Sequence, residues 1–166
     1  MERTQLESFE INDKNMSDDS LQTLCRCLPK LKRLELNRCR KITKNGLHHI
    51  KILQHLEELR LWSIEIYCDT FRNWQSLSSL KKLWIFASKS ASVEISDILP
   101  KLQQVVLHDC YNITPDAVER IKRRLPHCEV LQIFSGRPLP PSLKQETQIY
   151  YRTYKYPSGV LKLLYP

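Results

Sequence analysis

One arrangement of apolar and polar positions recurs along the chain. In "LKRLEL", residues 31–36, Leu31, Leu34 and Leu36 are apolar and polar residues fill the gaps. The same spacing begins at Leu6 (LESFEI), Leu56 (LEELRL), Leu80 (LKKLWI), Leu102 (LQQVVL) and Cys128 (CEVLQI). The intervals are 25, 25, 24, 22 and 26 residues. Apolar residues two apart share one face of a strand. Each unit therefore opens with a short strand whose fourth and sixth positions turn inward, and parallel neighbours then need a crossover of about a dozen residues.

The crossovers have helical spacing. Leu21, Leu24 and Leu28 follow Ser17-Asp18-Asp19; Leu47, Ile50 and Leu53 follow Thr43; Ala117, Val118, Ile121 and Leu125 follow Thr114-Pro115-Asp116. Serine or threonine accepts from the orphan amides of a helix start, proline fits its first position, and acidic residues suit its positive end. Pro29 and Pro126 close two of these runs. The fourth crossover is short and is predicted as one helical turn at Ser96–Leu99. A strand-helix unit cannot bury its own apolar faces, so stacked neighbours must supply the core. The predicted fold is α/β: residues 1–134 form a solenoid of about six strand-helix repeats on a parallel, concave sheet. Residues 135–166, "SGRPLPPSLKQETQIYYRTYKYPSGVLKLLYP", form a Pro/Tyr-rich tail that either caps the stack or folds back over it.

The period is that of leucine-rich repeats. Cys39 with Ile42-Thr43 and Gly46-Leu47, and Cys110 with Ile113-Thr114, sharpen the likeness. On these residues the chain, over roughly 6 to 134, resembles the cysteine-containing repeats of F-box leucine-rich-repeat proteins. The resemblance implies a non-catalytic module that selects targets for an SCF-type ubiquitin ligase, in ubiquitin-dependent degradation. No F-box pattern is visible, so docking on the Skp adaptor would need a missing or separate F-box. Units three and four also lack the cysteine. The alternative is a repeat scaffold or complex-assembly factor without ligase function.

Strand residues between the inward leucines face the concave side and form three columns. They run Ser8, Arg33, Glu58, Lys82, Gln104, Val130; then Glu10, Glu35, Arg60, Trp84, Val106, Gln132; then Asn12, Asn37, Trp62, Phe86, His108, Phe134. Aromatic side chains gather in the later units. A cluster of solvent-facing aromatics flanked by charge is the composition of a protein-binding surface. The expected contact residues are Arg33, Glu35, Glu58, Arg60, Trp62, Lys82, Trp84, Phe86, His108 and Phe134. On this reading Trp62 and Trp84 are dispensable for folding.

Composition narrows the rest. Hydrophobic content of 42% with 27% charged residues is globular. Three glycines leave no glycine-rich phosphate loop, and no nucleophile or HExxH motif occurs. The sequence thus calls for no enzyme, cofactor or metal. The Cys25-Arg-Cys27 pair lacks a second pair at zinc spacing. Cys39 and Cys110 are expected to be packing thiols. With no secretory signal or membrane-length apolar run, the expected compartment is the cytoplasm or nucleus, where thiols stay reduced. The net charge of +8 suits acidic partners. Nucleic acid is disfavoured, because Glu10, Glu35 and Glu58 would repel phosphates. The expected partner is a protein or peptide on the concave face.

Overall fold

The computed structural model describes residues 6–66, 68–88, 99, 101–134, 143 and 162–164. Six parallel strands of five residues each follow one another in chain order: β1 (Ser8–Asn12), β2 (Arg33–Asn37), β3 (Glu58–Trp62), β4 (Lys82–Phe86), β5 (Gln104–His108) and β6 (Glu129–Ile133). A seventh, β7 (Lys162–Leu164), runs antiparallel against β1, giving the order β6-β5-β4-β3-β2-β1-β7. The expected strands and their pairing are therefore present in an α/β architecture. Helices α1 (Asp18–Cys27), α2 (Lys44–His48), α3 (Cys68–Arg72) and α4 (Pro115–Arg124) supply crossovers, and a 3-10 turn at His49–Ile52 extends α2. The turn expected at Ser96–Leu99 lies outside the described residues except for Leu99, which is buried.

The helix starts carry the anticipated caps. The side chains of Ser17, Thr43 and Thr114 accept from the amides of Ser20, Asn45 and Ala117, and Pro115 opens α4. Adjacent layers are also tied to one another. The Asp18 carboxylate accepts from the Thr43 amide (2.7 Å) and hydroxyl (2.6 Å). Gly46 packs so closely that a Cβ there would lie 2.1 Å from Asp18 Oδ1. The Trp74 indole donates to the Leu47 carbonyl at 2.9 Å.

Strand ends share a device that the spacing alone does not announce. Arg38, Ser63, Ala87 and Asp109, each one residue past a strand, have φ of 54°, 53°, 51° and 52°. Their amides donate to Trp62, Phe86, His108 and Ile133 of the next strand. Side chains in this left-handed region cost about 1–2 kcal/mol each. The interstrand hydrogen bond holds the bend in layer after layer.

Inward residues of the strands and the apolar helix faces make one core, running from Ile11 and Leu21 through Leu34, Leu59 and Leu83 to Val105 and Ile121. Cys25, Cys39, Cys110 and Cys128 are buried in it. Cys110 Sγ donates to the Ile85 carbonyl of the preceding strand (3.5 Å), and burial pushes its thiol up to about 11. Cys39 Sγ donates to Asn37 O at 3.4 Å. These are packing thiols with backbone partners, as expected for that position.

Candidate protein-binding face

The register fixes which side chains share the face turned away from the helices. Glu10, Glu35, Arg60, Trp84 and Val106 are successive partners across β1 to β5, as are Asn12, Asn37, Trp62, Phe86 and His108. Five layers thus keep the columns read from the sequence. The sixth is shifted by one residue. Val106 pairs with Leu131 and His108 with Ile133, so Glu129, Leu131 and Ile133 continue the columns in place of Val130, Gln132 and Phe134. Val130 joins the main core instead, and Gln132 Nε2 donates to the Ile113 carbonyl at 2.9 Å. Phe134 leaves the predicted surface and lies 5.6 Å, centroid to centroid, from exposed Tyr111. Val130 thus fills the core slot that the template assigns to Leu131.

The face has two halves of different chemistry. In the first, charges alternate in sign from layer to layer. Lys32-Arg33, Glu57-Glu58 and Lys81-Lys82 are doublets at the entry of β2, β3 and β4. Lys32 pairs with Glu7 at 2.6 Å and Lys81 with Glu57 at 3.0 Å. With Gln103 these residues line an open groove of about 270 Å³. The outer column of this ladder (Glu7, Lys32, Glu57, Lys81) was absent from the sequence-derived site. The sign-alternating doublets are the signal that marks it.

Arg60 occupies the centre. Its guanidinium pairs with Glu58, lies 3.9 Å from Glu35, and sits 4.7 Å over the Trp84 ring. Burial pushes the Glu35 carboxyl up to about 7; the charge of Glu10 adds to the rise, that of Arg60 opposes it, and that of Glu58 adds again.

The second half is aromatic, and it is not solvent-facing. Trp62, Trp84 and Phe86 are 3%, 0% and 4% exposed. Together with Val106, Ile133, partly buried Leu131 and Leu143 they form a second apolar cluster, separate from the core beneath the sheet. Trp62 and Phe86 stack at 3.4 Å between centroids, with ring planes nearly parallel at 4°. His108 lies 5.5 Å from Phe86, with Nδ1 3.2 Å from the Asp109 carboxylate. The expectation that these aromatics present themselves to solvent is thus corrected. Leu143, which is fully buried, packs on them from the C-terminal segment.

Among the described residues, no cluster of three or more His, Cys, Asp or Glu is arranged to hold a metal, and no helix is long and apolar enough to cross a membrane. Neither a scan of protein-family models nor a search of curated proteins returned a match.

Proposed function

We infer that the chain is a leucine-rich-repeat solenoid acting as a non-catalytic protein-recognition module. The observation that carries this reading is the register. Inward apolar residues form a steady frame, while one outward column changes from β2 to β5, from Glu35 to Arg60 to Trp84 to Val106. A frame of that kind holds a broad set of unlike side chains in fixed relative positions, which suits an extended protein surface better than a small molecule. The accessible contacts on this reading are the charged ladder, Arg33, Glu58, Arg60 and Lys82. Trp62, Trp84 and Phe86 are buried beside it, and Trp84 supports the ladder through its contact with Arg60.

The resemblance to F-box leucine-rich-repeat proteins extends the proposal to target selection for an SCF-type ubiquitin ligase in the cytoplasm or nucleus. An assembly scaffold using the same face is the second reading. Affinity capture of the tagged chain followed by mass spectrometry separates them. Co-purifying Skp-type adaptor and cullin support the ligase reading. One stoichiometric partner without either supports the scaffold, and binding that is dominated by nucleic acid and collapses with added salt contradicts both.

A further inference from the structure

The charged half of the face is open, and its charges stand at a fixed pitch. Glu7, then Lys32-Arg33, then Glu57-Glu58, then Lys81-Lys82 line one groove, each layer opposite in sign to the one before. The backbone sets the spacing. The Glu7 carbonyl accepts from the amides of both Lys32 and Arg33, that of Lys32 from both Glu57 and Glu58, and that of Glu57 from both Lys81 and Lys82, all at 2.8–3.0 Å. Arg33, Glu58 and Lys82 are also direct register partners across β2, β3 and β4. Neighbouring layers are therefore one strand spacing apart, about 4.8 Å. The alternation ends at β5, where Gln103 and Gln104 carry no charge.

Ion pairs within the ladder do not close it. Lys32 pairs with Glu7 and Lys81 with Glu57, yet all four side chains stay 42–48% exposed. Exposed pairs of that kind contribute little, so trading them for a partner's charges costs little. Arg33 is exposed and makes no ion pair among the described residues.

The pitch decides what fits. An extended peptide laid across the strands repeats its side chains on one face about every 6.8 Å, so it is out of step with the ladder by about 2 Å at the second layer and about 4 Å at the third. A phosphate backbone meets Glu7, Glu57 and Glu58 and is repelled. An α-helix keeps step. Its residues i, i+3, i+7 and i+10 share one face and rise by about 4.5, 10.5 and 15 Å, against about 4.8, 9.6 and 14.4 Å across four layers.

We propose that this groove takes a helix of a partner protein, lying across the strands. Its side chains at i, i+3, i+7 and i+10 are basic, acidic, basic and acidic, facing Glu7, Lys32-Arg33, Glu57-Glu58 and Lys81-Lys82 in turn. The order of the charges, rather than their sum, selects the partner.

This inference deepens the recognition reading and rests on it, and its test is chosen to fail separately. Two peptides, each held helical by a staple on the far side, are titrated by anisotropy into the purified full-length chain. One carries lysine, glutamate, lysine and glutamate at the four positions. Its isomer carries lysine, lysine, glutamate and glutamate. Neither has a net charge from these groups, so nonspecific attraction to the basic chain is equal. The first is expected to bind at least tenfold tighter than the isomer. It is expected to lose at least fivefold against the Arg33→Gln variant, shown folded by circular dichroism, while the isomer changes less than twofold. Equal binding of the two isomers, or no saturable binding of either, overturns the inference. So does tighter binding of an extended peptide with lysine and glutamate alternating at every second residue. A cellular partner whose capture depends on Arg33 and Lys82, with the isomers bound alike, would refute the helix and leave the recognition reading standing.

Discussion

Glu35 holds a largely buried carboxyl near Glu10 and Arg60, and its burial has a consequence for stability. Its folded value, about 7, lies above the ordinary 4.5. Between those values the folded chain holds a proton that the unfolded chain releases. The group therefore favours folding most at low pH, and the contribution falls as pH rises through about 7. Glu35→Gln removes the titration. Its stability relative to wild type, measured by urea unfolding, is expected to rise by about 2–3 kcal/mol between about pH 4 and about pH 8. Parallel pH curves for the two proteins would contradict this. The tryptophans give the opposite lesson. Alternation placed Trp62 and Trp84 correctly on the face away from the helices, but it carries no information about what covers that face. Both are buried, so Trp84→Ala is expected to cost about 3–5 kcal/mol, the range for large aromatic truncations. A variant with an unchanged unfolding midpoint would mean the ring is exposed after all.

Among elements, the strands and the capped helices α1, α2 and α4 were legible because their signals are local: leucines two apart, Ser17, Thr43 and Thr114 as caps, proline at the first position of α4. Two features were not. The β6 slip arises because "CEVLQI" offers Val130 and Leu131 side by side, and either satisfies an apolar slot. Pairing with β5 decides between them, and the template cannot. The second is the layer-to-layer tie at the start of α2. Gly46→Ala in a helix ordinarily gains about 1 kcal/mol. Here the added Cβ meets Asp18 Oδ1 at 2.1 Å and the Asp18 Cα at 3.1 Å, so the change is expected to destabilise by about 1–3 kcal/mol. Asp18→Ala alone loses the two hydrogen bonds to Thr43. In the Asp18→Ala background, Gly46→Ala should cost far less. A double-mutant cycle by chemical denaturation reads this coupling directly, and strict additivity would refute the contact.

At the scale of the whole molecule, the stack was readable from its period, but its closure was not. β7 covers the free edge of β1, an edge that would otherwise present unpaired backbone groups to other chains. Leu143 closes part of the distal face. Both contacts join residues far apart in sequence, and neither segment carries the repeat. The sequence showed an apolar, tyrosine-rich tail and left open whether it caps or folds back. The described residues put its Leu143 on the aromatic face and its last strand on the N-terminal edge. What this face presents to solvent among the described residues is the ladder of alternating charge.

The central claim is that recognition occurs on this face and not on the helical side, and matched charge removals test it most directly. One variant carries Arg33→Gln and Lys82→Gln on the strand face. The other carries Lys122→Gln and Arg123→Gln on the exposed side of α4. Each loses two positive charges, so nonspecific electrostatics change equally. Quantitative capture of the chain's main partner is expected to fall at least tenfold for the first pair and to stay within twofold of wild type for the second. The reverse order would place the partner on the helices and contradict the account.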